Sequence, residues 1–175
     1  MATDISDRLQ PALLDRLTDE QGDGEDSRVM SKAQLRRAVL RDLSVLFNTV
    51  QPSAKTLLGD PVLAASVLNF GLPSLAGSLA SRIDFAKLEE DIATAIRRFE
   101  PRIQPDTLVV RAIQPSHLLD THNVIEFQIR GHLWSQPLPQ EILLRTQLNL
   151  EAGQVELSDA TQALSPAMLR KGNRA

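Results

Sequence analysis

Residues 84–102, DFAKLEEDIATAIRRFEPR, mark the point where the chain changes its period. Asp84 places a carboxylate ahead of Phe85, Leu88, Ile92, Ala95, Ile96 and Phe99, which recur at three- and four-residue steps. That spacing predicts a capped helix with one apolar stripe. Lys87, Glu90, Asp91, Arg97 and Arg98 supply its polar surface, acids early and arginines late, as the helix dipole favours. Pro101 cannot continue a helix and biases Glu100 away from helical geometry, so the chain turns at Glu100-Pro101-Arg102.

Beyond the turn the period is 2. Leu108 to Ile113 is rich in branched residues. Ile125, Phe127, Ile129, Gly131 and Leu133 alternate with Glu126, Gln128, Arg130 and His132; Ile142, Leu144, Thr146, Leu148 and Leu150 alternate with Leu143, Arg145, Gln147 and Asn149. Each of the last two strands is expected to have one core face and one wet face. Ser135 to Pro139 reads as a hairpin loop, Glu151-Ala-Gly153 as a second turn, and Gln154 to Leu157 as a short fourth strand.

Ahead of the turn, Ser31 and Gln34 have the spacing of a capping box. The helix they open carries Leu35, Val39, Leu43, Leu46 and Phe47 on one stripe, turns Arg36, Arg37 and Arg41 elsewhere, and ends near Asn48. Asp60-Pro61 starts a second, short helix, Val62 to Asn69, stopped by Gly71 and Pro73 and followed by a loop to Ser81. The expected fold class is α+β: amino-terminal helices packed on a small, mostly antiparallel β-meander.

Three regions follow. Residues 1–30 are an amino-terminal arm and acidic linker, 31–158 a single α+β domain, and 159–175 a carboxy-terminal tail with a basic end, Arg170 to Arg174. In the arm, Ile5, Leu9, Leu13, Leu14 and Leu17 recur at helical steps around Pro11, and Asp19 to Asp26 tethers them to the body. The segment is either a strap packed on its own domain or a docking peptide for another protein.

Composition removes several classes of function. With 42% hydrophobic and 23% charged residues the chain should fold. A net charge of -3 provides no positive field for nucleic acid, and 3% aromatics without tyrosine provide no stacking platform. The absence of cysteine removes disulfides, thiolate nucleophiles and cysteine-based metal sites. Met1 to Gln10 has no apolar core of the signal-peptide kind, and no apolar run is long enough for direct membrane insertion, so the expected location is cytoplasmic.

No catalytic constellation emerges. Glu89, Glu90 and Asp91 are adjacent on a helix, point about 100° apart and do not converge on one site. His117 and His122 lie in a loop and His132 on the wet side of a strand, without metal-ligand spacing. No phosphate-binding glycine loop, nucleophile elbow or dinucleotide fingerprint occurs. The reading is no enzyme, no metal and no cofactor; the competing class is a lysozyme-like peptidoglycan hydrolase acting through paired carboxylates. Glu100-Pro101-Arg102 has two readings. It is a helix stop with a local ion pair, or a rigid turn on which Arg102 offers its planar fork to a partner while Glu100 holds it. A meander also has unpaired edges that can accept a strand, here Val124 to Trp134 or the terminal strand.

Five stretches occur in order: Leu9-Gln-Pro-Ala-Leu-Leu-Asp-Arg-Leu17, Leu40-Arg-Asp-Leu43, Ser66-Val-Leu-Asn-Phe-Gly-Leu-Pro73, Ile96-Arg-Arg-Phe-Glu-Pro-Arg102 and Phe127-Gln-Ile-Arg-Gly-His-Leu-Trp134. Together they resemble the TssE family of type VI secretion baseplate components, related to the baseplate wedge and sheath-initiator proteins of contractile phages. The resemblance implies a small α+β structural protein in the baseplate wedge beside TssF and TssG. Its sheet edges would template the first ring of the contractile TssB/TssC sheath, in the cytoplasm, at a baseplate docked on the inner membrane. It also implies that the family's Glu-Pro-Arg turn, here Glu100, Pro101 and Arg102, makes contacts with the wedge core, and that the family's lysozyme-like label is inherited naming. Leu13, Leu14 and Leu17 are the candidate contacts of the arm.

Overall fold

Ser31 opens the first helix as its sequence dictates: its hydroxyl accepts the Gln34 amide at 3.2 Å and the Gln34 side chain accepts the Ser31 amide at 2.7 Å. This is a complete capping box, and helix α1 runs Lys32–Phe47 to a C-cap at Asn48. The computed structural model describes residue 17 and residues 31–52, 60–77, 83–113, 124–135 and 138–161. The expected arm contacts Leu13 and Leu14, the acidic linker, and His117 and His122 lie outside the described residues.

Helix α2, Pro61–Ala65, is shorter than its sequence suggests. Ser66 adopts extended backbone, and its hydroxyl both donates to Leu63 O and accepts the Leu68 amide, so a separate 3-10 turn, Val67–Asn69, follows. A serine hydroxyl that competes for nearby backbone groups ends a helix where the apolar pattern alone would carry it through. Phe70 then meets Phe99 edge-on at 5.2 Å. Leu72 donates to Thr49 O and accepts from Gln51 N, each at 2.9 Å, which lashes this segment to the end of α1.

Helix α3, Phe85–Phe99, is N-capped by Asp84, whose carboxylate accepts the Lys87 amide at 3.1 Å. Strands β1 Val109–Ile113, β2 Val124–Leu133, β3 Gln140–Asn149 and β4 Gln154–Asp159 form an antiparallel meander in the order β1-β2-β3-β4. The last strand runs two residues past Leu157, and Thr161 extends the pairing by accepting the Leu143 amide at 2.8 Å. The class is α+β, as expected.

Helices α1 and α3 pack on one face of the sheet. Leu35, Val39, Leu43 and Leu46 of α1 and Leu88, Ile92 and Ile96 of α3 share a core with Val110, Ile125, Phe127, Ile129, Ile142, Leu144 and Leu148. Burial of this apolar surface supplies the main driving force for folding. Thr146 is the polar member of the inward row and donates to Phe127 O at 3.1 Å, which satisfies its hydroxyl. Two residues depart from the alternation. Leu143, expected on the wet face, is 6% exposed. Arg36, expected to point away, donates to Glu141 O and pairs with Asp159 at 3.5 Å.

Asp91 lies beside the core stripe of α3, and burial raises its carboxyl pKa above the ordinary 3.8, with Lys87 opposing and Glu90 adding to the effect. The native state therefore holds this proton more tightly than the unfolded chain, and the group's contribution to stability falls as pH rises from the ordinary value through the native one. The cost is fully present at neutral pH. Asp91→Asn is expected to raise the melting temperature at pH 7 by about 1–2 °C, with the gain shrinking as pH falls and gone once pH is well below the ordinary 3.8 in a calorimetric pH series.

Candidate functional site: the helix-to-sheet turn and the sheet edges

Pro101 stops α3, and the chain reverses over three residues. Glu100 still donates its amide to Ile96 O at 2.8 Å, and its own carbonyl accepts from Ile103 N at 3.2 Å. The returning chain is then fastened to the far end of β2. Trp134 N–H donates to Arg102 O and Gln104 N–H to His132 O, both at 2.8 Å, while Ile103 forms a bridge with Leu133. Gly131 gives this approach room, since a β-carbon there would lie 3.2 Å from Ile103 Cγ2, tighter than an ordinary contact.

The turn's charged side chains are bonded to each other. Glu100 is 2% exposed and accepts from Arg102 Nε at 2.6 Å and from Arg102 Nη2 at 2.5 Å, a two-point fork, while its Oε1 also accepts the Arg102 amide at 3.2 Å. The same Nη2 reaches Asp42 of α1 at 2.6 Å, and Asp42 in turn pairs with Arg41 at 2.8 Å. Two carboxylates and two guanidinium groups thus form a network that joins α1, the turn after α3 and, through the Arg102 carbonyl, the end of β2. Burial works against the charged form of Arg102, but Glu100 and then Asp42 outweigh it and hold the guanidinium pKa above its ordinary value. Arg102 is protonated throughout the accessible pH range. Asp42 is only partly covered, so Asp42→Asn is expected to cost about 0.5–1 kcal/mol, read as a fall of about 1–4 °C in melting temperature.

The other acids of α3 go three separate ways. Glu89 accepts the Ala112 amide at 2.7 Å and pairs with Arg111 at 3.3 Å; Glu90 pairs with Arg97 at 3.2 Å; Asp91 sits against the core. They form no joint site. Among the described residues no group of three or more potential metal ligands occurs. An apolar cavity of about 10 Å³ between Phe47, Leu72, Leu88 and Phe127 is the size of one water, too small for a substrate. No helix among the described residues is long and apolar enough to cross a membrane.

The sheet edges differ from expectation in one respect. Val124 to Leu133 is β2, paired on both sides, so it has no free edge to offer a partner strand. The edges are β1 and β4, each touched by a helix side chain. On β4 the Asn48 carboxamide accepts the Val155 amide and donates to Val155 O, both at 2.9 Å. On β1 Glu89 takes the single amide of Ala112.

Of the residues expected to bind a partner, Glu100 and Arg102 come together and Pro101 stands exposed at the tip of the turn between them. Leu17 is helical and 75% exposed. Sequence reasoning missed Asp42, which lies in the quoted Leu40-Arg-Asp-Leu43 stretch but whose partner is 60 positions away. It also missed Asn48 and Glu89 as occupants of the edges. An acid on the polar side of a helix, as Asp42 and Glu89 are, or an asparagine at a C-cap, carries no signal of where its side chain will reach.

Fold and turn together define a small two-layer α+β domain whose built feature is a structural junction. Residues 33–138 match the family of the baseplate wedge protein gp25, a span from the first turn of α1 through the loop that closes the β2–β3 hairpin. The chain belongs to the baseplate wedge protein gp25 family, a family of structural components of contractile injection machines. No curated protein and no solved structure matches the chain at a significant level.

Proposed function

We propose that this chain is the TssE subunit of a type VI secretion baseplate, a structural adaptor with no turnover. In this reading it binds the TssF and TssG wedge proteins and offers its sheet as the template for the first ring of the TssB/TssC sheath. It works in the cytoplasm, at a baseplate docked on the inner membrane. The observation that carries the reading is family membership over the unit that contains Glu100-Pro101-Arg102, together with the rigidity of that turn. A turn fixed by a buried carboxylate, two arginine bonds and two backbone bonds to β2 presents its exposed tip in one orientation, and preorganised contacts bind more tightly than mobile ones. Because the Arg102 fork is largely used within the chain, Pro101 and the uncovered edge of the guanidinium are what a partner can touch.

Affinity isolation of the tagged full-length protein from its own cells, with mass spectrometry of what it retains, tests this. Wild type is expected to recover TssF, TssG and sheath subunits. Pro101→Asp is expected to recover at least tenfold less of the wedge proteins while melting within about 3 °C of wild type, since an exposed turn position costs little stability. Equal recovery by the variant would move the contact elsewhere, and a wild-type preparation free of all four proteins would overturn the baseplate reading itself.

A further inference from the structure

The two edges of the sheet are closed unequally. In β4 the backbone groups of Val155, Leu157 and Asp159 point outward, since Ala160 N–H and the alternate positions bond back to β3. Asn48 occupies both the donor and the acceptor of Val155, as a neighbouring strand would, and is itself held by a bond from its Nδ2 to Ser44 O at 2.8 Å. At the other end Arg36 pairs with Asp159. The outward groups of Leu157 therefore lie between two attachments to α1.

In β1 the outward groups belong to Val110 and Ala112. Among the described residues only Glu89 bonds to this edge, through one amide, and its other oxygen pairs with Arg111, which is 73% exposed. The solvent-side row of β1 reads Val109, Arg111, Ile113, and the two aliphatics are 46% and 39% exposed, large for a residue type that a neighbouring strand normally covers.

We infer that β1 is the strand-accepting edge, that Glu89 is its exchangeable placeholder, and that the incoming segment has an apolar–x–acidic–x–apolar pattern. Such a segment bonds to the backbone of Val110 and Ala112. It puts its two apolar side chains beside Val109 and Ile113, and its carboxylate takes the place of Glu89 against Arg111. Charge sets the choice of partner: a second copy of β1 running antiparallel would oppose Arg111 with Arg111, which like charges disfavour. The inference rests on the reading of this chain as a template for other subunits, and it specifies the chemistry of what is templated.

The test uses isotope-labelled full-length protein and the capped peptide Val-Thr-Glu-Thr-Val, followed by amide shifts at millimolar peptide. Shifts are expected at residues 109–113 and not at 154–159. The peptide with Lys in place of Glu is expected to bind about threefold to tenfold more weakly. Glu89→Ala, which frees the Ala112 amide, strengthens binding about threefold to tenfold, whereas Glu89→Gln, which keeps an acceptor, leaves it within twofold. Shifts confined to β4, no shifts anywhere, or no gain from a folded Glu89→Ala would each overturn the inference. None of these outcomes bears on whether the tagged protein recovers wedge subunits, so the two readings fail separately.

Discussion

Arg102→Ala is expected to lower the melting temperature by about 5–15 °C, corresponding to about 2–4 kcal/mol. The cause is the group left behind. Glu100 is 2% exposed, and without the guanidinium its carboxylate keeps, among the described residues, only the backbone amide of residue 102 at 3.2 Å. A buried carboxylate without its cation is costly, and because the Arg102 side chain is one-quarter exposed, water relieves part of the penalty. Two companions isolate the mechanism. Arg102→Lys keeps the charge but loses the two-point fork, so it should fall between wild type and Ala. Glu100→Leu combined with Arg102→Met removes both charges and should recover more than half of the loss, because replacing a buried pair by apolar groups of similar volume is close to neutral. An Arg102→Ala protein that melts within 2 °C of wild type would show that Glu100 is not held by this pair. An assembly defect seen only in Arg102→Ala would report lost stability as much as a lost contact, which is why the exposed Pro101 is the better probe of partner binding.

Gly71→Ala should be at least as damaging, at about 3–5 kcal/mol and about 6–20 °C. Gly71 has φ 122°, a region that side-chain-bearing residues rarely adopt. An added β-carbon would sit 2.3 Å from Thr49 O and within 3 Å of the Thr49 carbonyl carbon and Gln51 N. All three are backbone atoms, so no rotamer change relieves the clash. The segment must instead lift away from α1, which breaks the Leu72–Thr49 and Gln51–Leu72 bonds and withdraws Leu72 from the core. Hydrogen exchange gives a direct reading: the amides of Gln51 and Leu72 should lose protection in the variant while those of β2 and β3 keep most of theirs. A variant with wild-type stability and protected Leu72 would rule out this explanation.

Much of the fold was legible because it depends on local chemistry. Ser31 with Gln34, Asp84 with its apolar stripe, and Pro101 each act within four residues, so the helix boundaries could be read directly from the chain. The change of period at Arg102 announced the sheet for the same reason. What escaped depends on distance along the chain. The period of β3 puts Leu143 outside, and only the strand extension at Ala160 and Thr161 shows how closed that end of the sheet is. Ser66 is the local exception: its hydroxyl competes for backbone groups within three residues and breaks a helix that hydropathy alone would continue. The edge assignment was within reach, since a meander that pairs in chain order must leave its first and last strands outermost, and the regularity of Val124 to Leu133 reflects its central place. The site was half legible: Glu100, Pro101 and Arg102 were visible as a motif, but Asp42, Asn48 and Glu89 acquire their roles only when distant segments meet.

Arg36, Asp42 and Asn48 are spaced six apart on α1, and each grips a different part of the molecule: the far end of β4, the turn after α3, and the near end of β4. Six helical residues rise about 9 Å, so these grips lie along a stiff rod rather than around a point. Force applied at the turn is therefore delivered along the axis of α1 and reaches the outermost strand at two places at once. Several bonds then have to yield together in shear, instead of one after another as in unzipping, and the helix serves as a tie-bar between the turn after α3 and the rim of the sheet.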